Sequence, residues 1–197
     1  MGRATMPAMT TADRLPFTGD DEADRLLATD RLALLIGFAL DQQVTVQKAF
    51  SGPLVLRQRL GHLDAARIAA TDPAELDTVF RTPPALHRFP GSMATKVQAM
   101  CAAIATDYEN DANRIWTEAT DGADLKRRLL ALPGFGDMKV AAILAISAKR
   151  LGVTLPGLDT VLPTHPTLGD VDSAESLADY QAGKRAKKAA ARAAAGG

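Results

Sequence analysis

The chain has 197 residues, 47% of them hydrophobic and 23% charged, with a formal net charge of zero at pH 7. That length is enough for a sizeable core, while the balanced charge supplies no global attraction to nucleic acid. The longest apolar run, Leu32 to Leu40, is too short to span a bilayer, and the N-terminus lacks the charged-then-apolar order of a signal peptide, so a cytoplasmic protein without a membrane partner is expected.

Residues 1–20, rich in Met, Thr and Pro, read as a flexible leader. Asp30 is a candidate N-cap for a long helix from about Arg31 to Phe50, whose first half is apolar all round and therefore buried. Its continuation, Asp41-Gln42-Gln43-Val44-Thr45, turns abruptly polar. Gly52-Pro53 opens a short helix from Leu54 to Leu60, stopped by Gly61, and Leu63 to Ala70 forms another. Asp72 caps a helix with Pro73 in its first turn and Leu76, Val79 and Phe80 on one face. Pro83-Pro84 breaks the pattern, and the loop Leu86 to Lys96 leads into a helix ending near Tyr108. A short helix around Trp116, expected in the core, precedes a helix from Gly122 to Ala131. Beyond Leu132-Pro133-Gly134-Phe135-Gly136-Asp137-Met138-Lys139 a second helix carries Val140, Leu144, Ser147 and Leu151 on one face. From Ser173 the chain is helical, and after Asp179 it holds no acid but has Lys184, Arg185, Lys187, Lys188 and Arg192. Those charges suit loose attraction to DNA or a frayed, solvated tail. No stretch alternates like a strand, so the expected fold class is all-α.

Cys101 is the single cysteine, which excludes disulfides within the chain and a four-cysteine iron–sulfur cluster. Its apolar neighbours predict a buried thiol. His62, His87 and His165 lie far apart, so no metal site and no cofactor are expected.

Leu132 to Lys139 is the most informative stretch. Pro133 ends one helix, and two glycines allow a tight reversal that leaves backbone N–H groups bare at the start of the next. Bare N–H groups at the positive end of a helix dipole attract a phosphate without reading a base. Taken alone, the stretch is also compatible with a simple turn between helices.

This Leu-Pro-Gly-Phe-Gly turn resembles the helix-hairpin-helix of the HhH-GPD superfamily of base-excision DNA glycosylases. Ala39-Leu40-Asp41-Gln42-Gln43-Val44-Thr45 resembles the superfamily's Ile-Leu-x-Gln-Gln-x-Ser/Thr element. The resemblance covers about Leu32 to Thr164. It implies a two-lobed helical glycosylase-like domain over 21–172, followed by a C-terminal helix and basic tail over 173–197. It implies a monomer that binds double-stranded DNA containing a damaged or mismatched base, swings that base out and removes it hydrolytically. The implied DNA contacts are Leu132, Gly134, Phe135, Gly136, Met138 and Lys139 of the hairpin, Gln42 and Gln43 as the groove-probing amides, and Lys96 on a phosphate.

Leu158-Asp159-Thr160-Val161 resembles the superfamily's Val-Asp-Thr-His loop without its histidine, making Asp159 the catalytic candidate; as a plain sequence it is also a turn aspartate beside Pro156-Gly157. Asp41 and Asp170 are the alternative acids. A carboxylate suits the chemistry because positive charge builds on the deoxyribose as the N-glycosidic bond breaks. Bifunctional relatives carry a lysine nucleophile where this chain has Met138. Lys139 is one residue later, roughly 100° round a helix, and is expected to be solvated or to face phosphate, with a nucleophile's role only if the enzyme is bifunctional. Two rival readings remain: a catalytically silent DNA-binding relative, and a helical protein-interaction module.

Overall fold

A helix that is apolar on every side has to be surrounded, and three other helices pack around one such helix here. The computed structural model describes residues 11–195. Among the described residues there are ten α-helices, two short 3-10 turns and no strand. Helix α1 (Asp21–Thr29) is capped by Asp20, whose carboxylate accepts from the Glu22 and Ala23 N–H groups. Helix α2 (Arg31–Leu40) is capped by Asp30, and every residue from Leu32 to Leu40 is buried. Around α2 pack α1, α3 (Val46–Leu60) and α6 (Pro90–Asp107), with α4 (Ala65–Ala70) and α5 (Pro73–Arg81) laid against α6.

The remaining elements form a second packed group. Helix α8 (Gly122–Leu130) contacts α7 (Arg114–Thr117), α9 (Asp137–Lys149) and the 3-10 turn Asp159–Val161. The 3-10 turn Leu168–Asp170 packs on α9 and touches the final helix, α10 (Ala174–Ala195). One continuous core runs through both groups. Trp116 marks the junction: its indole N–H donates to Ser147 Oγ at 2.8 Å, and the Arg31 guanidinium lies 5.5 Å from its ring centroid.

The crossing of α2 and α3 depends on small residues. A Cβ at Gly37 would meet the Phe50 ring at 2.5 Å, and one at Gly52 would meet Leu40 Cδ1 at 2.4 Å. Phe50 is fully buried and stacks edge-on against Phe17 and Phe38, with centroids 5.2 and 5.0 Å away. Burial of such a side chain is worth about 1.5–3 kcal/mol, so this contact helps hold α2 and α3 together.

Several expectations need correction. The long helix Arg31 to Phe50 is two helices, because the chain reverses at Asp41–Thr45 with Gln43 in the left-handed region at φ 57°. Gly52-Pro53 does not open a new helix but lies inside α3, which gives up the backbone bond Pro53 cannot donate. The expected leader is not loose from Thr11 onward; residues 1–10 lie outside the described part. Leu15 and Phe17 are fully buried, and the buried Asp24 carboxylate accepts from the N–H groups of Phe17 and Thr18 and from the Thr18 hydroxyl. Helix α1, which the acidic run Asp20–Asp24 did not suggest, supplies that carboxylate. Cys101 is buried as expected, and burial pushes its thiol up to about 12. No helix among the described residues is long and apolar enough to cross a membrane.

Candidate functional site

The glycine turn is built as the spacing predicts. Leu132 and Phe135 are buried and pin the turn to the core, and the Phe135 N–H donates to Leu132 C=O at 3.1 Å. Pro133, Gly134 and Gly136 are exposed between and beyond those anchors. Gly134 needs to be glycine, with φ at +80°. Gly136 does not need to be for the fold: its φ is −107°, and a Cβ there would meet nothing within 4 Å. Gly136 begins α9 without any side-chain cap, so the first N–H groups of a thirteen-residue helix have no internal acceptor. Met138 stands on this rim, 75% exposed.

Lys139 turns the other way. Its Nζ is enclosed, lies 5.5 Å from the Phe135 ring centroid and has no hydrogen-bond partner among the described residues. Burial lowers its pKa, the Asp41 carboxylate pulls it back up, and Lys96 lowers it further. This corrects the expectation of a solvated or phosphate-facing lysine.

The reversal between α2 and α3 carries Asp41, Gln42 and Gln43. Asp41 is half-buried at the end of α2; burial raises its pKa, and Lys184 of α10 and Lys139 oppose the rise. No ion pair within 4 Å joins Asp41 to either lysine, so both charges stay available to a third party. A groove of about 580 Å³, lined by Asp41, Val44, Gln47 and Lys184 among others, opens beside them.

Gln42 is tied down. Lys96 Nζ donates to its Oε1 at 2.8 Å, its own amide nitrogen reaches Ala39 C=O at 3.4 Å, and His87 Nε2 donates to its backbone C=O at 2.8 Å. Gln42 is therefore not a free probe, and Lys96 grips this amide where a phosphate contact was expected. Gln43 remains exposed at the tip of the reversal.

His87, considered in the sequence only as a metal ligand, holds the reversal in place. A carbonyl can only accept, so Nε2 carries the proton; the Phe89 N–H donates to Nδ1 at 3.0 Å, so Nδ1 must stay bare. Both bonds need the neutral ring, in line with burial as the main cause that lowers its pKa. The native state thus binds fewer protons than the unfolded chain between the lowered value and the ordinary 6.5. Stability is expected at full strength above pH 6.5 and to fall as pH drops below it. Urea unfolding across that range checks this, and His87→Asn should flatten the slope.

Asp159 does not join this group. It is exposed at the start of its 3-10 turn, which docks on α8: the Gly122 N–H donates to Pro156 C=O at 2.9 Å, and a Cβ at Gly122 would sit 2.4 Å from Leu158 Cα. The clefts beside the turn are lined by Ala141, Leu144 and Ala148 of α9. At 100° per residue those positions lie about 140–180° round the helix from Lys139. The helix therefore stands between Asp159 and the enclosed amine. Asp170 is occupied in another way, paired with Lys149 Nζ at 2.5 Å.

Comparison with protein-family models, with curated proteins and with solved structures found no match. The parts of this site are an uncapped helix start in an exposed glycine turn, an exposed amide in the left-handed region, and a half-buried carboxylate near an unpartnered amine. Among the described residues no cluster of three or more His, Cys, Asp or Glu is arranged to hold a metal ion.

Proposed function

We propose that the protein is a base-excision DNA glycosylase of the HhH-GPD kind, which grips duplex DNA by the Gly134–Gly136 turn and removes a damaged or mispaired base. The observation that carries this reading is the exposed glycine turn that opens α9 without a side-chain cap, next to the enclosed Lys139 amine, which has no hydrogen-bond partner among the described residues; the half-buried Asp41 carboxylate opens on a groove of its own. Buried groups whose pKa values are pushed apart from their ordinary ranges mark places where protons are moved.

In the hydrolytic route Asp41 takes the place expected of Asp159. A carboxylate with a raised pKa is suited to accept a proton near neutrality. Water bound by Asp41 attacks C1′ of the extruded nucleotide, the N-glycosidic electron pair leaves with the base, and the water proton passes to Asp41. Ionised Asp41 also faces the positive charge that develops on the sugar. Gln43 fills the space the base vacates, since its amide both donates and accepts. His87 and Lys96 are positioning residues that hold the reversal through Gln42.

The state of Lys139 favours a second reading, a bifunctional enzyme. A lowered pKa leaves more of the amine in its nucleophilic form, and this route requires the enclosed Nζ to be uncovered when DNA binds. The amine would form a C1′–Nζ bond as the base leaves with the glycosidic electron pair; loss of the amine proton and opening of the C1′–O4′ bond then give an imine, from which elimination of the 3′ phosphate cleaves the strand. A panel of duplexes, each with one lesion, scored for abasic sites and for strand breaks, tests the function itself. Borohydride trapping of a protein–DNA adduct that is lost in Lys139→Ala selects the bifunctional route. No base release on any lesion leaves a silent DNA binder, and no duplex binding at all defeats the proposal.

Gly136→Val tests the hairpin separately. The backbone geometry at 136 tolerates valine and the added side chain meets open space, so the fold should persist, with a stability loss of about 1 kcal/mol from the poorer N-cap. Duplex affinity is expected to fall at least tenfold, because the side chain covers the bare N–H groups. Unchanged affinity in a filter-binding or anisotropy assay would remove the turn from the interface.

A further inference from the structure

The last helix begins against the body and ends away from it. Leu177 is buried, Tyr180 and Gln181 are half-buried, and every residue from Ala182 to Ala193 is exposed. The docking point is an amide clasp: Gln181 Nε2 donates to Gln47 Oε1 at 2.9 Å, and Gln47 Nε2 reaches Gln181 Oε1 at 3.4 Å. Gln47 lies in the first turn of α3, directly after the reversal that carries Gln43.

Charge on the exposed part follows one line. At 100° per residue Lys184, Arg185, Lys188 and Arg192 fall within about 60° of the direction of Gln181, so all four share the side that carries the clasp. The residues between them are mostly alanine, which favours helix and offers no apolar bulk. Successive cations at 184, 188 and 192 are about 6 Å apart along the axis. No acid follows Asp179, and none of these four cations pairs within 4 Å with a described carboxylate. Three of them, Lys184, Arg185 and Lys188, line the groove that opens on Asp41, together with Lys187.

We infer that this stripe of α10 is a second duplex-DNA contact, which follows the phosphate backbone away from the cleft. It adds to the proposed function by naming another surface for the same partner, but it does not depend on base removal. The observations favour DNA over a membrane because the stripe lacks the large apolar residues that an interfacial helix inserts. They favour a fixed track over loose attraction because the clasp to Gln47 sets the direction of the helix. Phosphates on a duplex recur closely enough, one charge per about 1.7 Å of axis, for each cation to find one.

The test uses the full chain and an undamaged duplex of about 20 base pairs, with affinity measured across a salt series. Lys184→Ala with Lys188→Ala is compared with Arg25→Ala with Arg67→Ala, two exposed cations removed elsewhere. The stripe pair should lower the slope of log affinity against log salt by about 1.8, close to 0.9 for each lost phosphate contact. It should also weaken binding at least tenfold at 0.1 M salt, with helicity by circular dichroism unchanged. The control pair should leave the slope within about 0.5 of the parent. Equal effects of the two pairs, no duplex binding by the parent, or tighter binding to anionic phospholipid vesicles than to duplex would each overturn the inference. A stripe-dependent slope in a protein that releases no base would uphold it while defeating the glycosylase. Base release with a slope indifferent to the stripe would do the reverse.

Discussion

Asp41→Asn is expected to lower base release by roughly 10²- to 10³-fold, the size seen when a preorganised charge is removed from a reaction centre. Binding to undamaged duplex should stay the same or tighten slightly, since a negative charge near phosphates is gone. Asp159→Asn is the matched control and should keep activity within about twofold, because α9 stands between that side chain and the enclosed amine. Single-turnover assays on whichever lesion the panel identifies decide between the two acids. Loss of activity in Asp159→Asn with full activity in Asp41→Asn would return the role to Asp159.

Stability gives a second readout of the same site. Lys139 titrates below its ordinary 10.5, so its charged form is disfavoured in the folded chain; that penalty is present at neutral pH and fades as pH rises toward 10.5. Asp41 titrates above its ordinary 3.8, so its penalty is present above the raised value and fades as pH falls toward 3.8. The paired variant Asp41→Asn with Lys139→Met removes both and should melt at or above the parent's temperature while being inactive. Residues retained for packing alone do not behave in that way.

Phe50→Ala is expected to have the largest effect on stability, about 3–5 kcal/mol. Its fully buried ring fills the close approach of α2 and α3 at Gly37 and contacts both Phe17 and Phe38. For a chain of this size the melting temperature should fall by on the order of 10 °C, and the urea midpoint should fall with it. Met138→Ala, at a position 75% exposed, should change stability by less than about 0.5 kcal/mol. If the two variants melted alike, the α2–α3 crossing would not be what holds the reversal in place.

The parts of the fold visible in the sequence are those set by neighbours along the chain. Asp30 and Asp72 cap the helices they were expected to cap, and Leu132 to Gly136 makes the predicted turn. The break between α2 and α3 was less visible, since Gln43 is not a residue type that announces a left-handed backbone. Pro53 read as a helix start, yet the close contact of Gly52 with Leu40 keeps the helix running through it. The site was least legible because its contacts are long-range. The His87 bond to Gln42 spans 45 positions and the Lys96 bond spans 54. Lys139 and Asp159 are both polar residues near a turn in the sequence, and only the folded chain shows one to be an enclosed amine on α9 and the other an exposed acid on its own 3-10 turn.

Trp116, the one tryptophan in the chain, gives this architecture a built-in optical reporter. Its indole is bonded to Ser147 on α9 and covered by Arg31 at the start of α2, so its emission comes from the seam between the two packed groups. Water reaching that seam would shift the band to the red. Any separation of the two groups could then be followed in real time on the unlabelled protein, with no other indole contributing background.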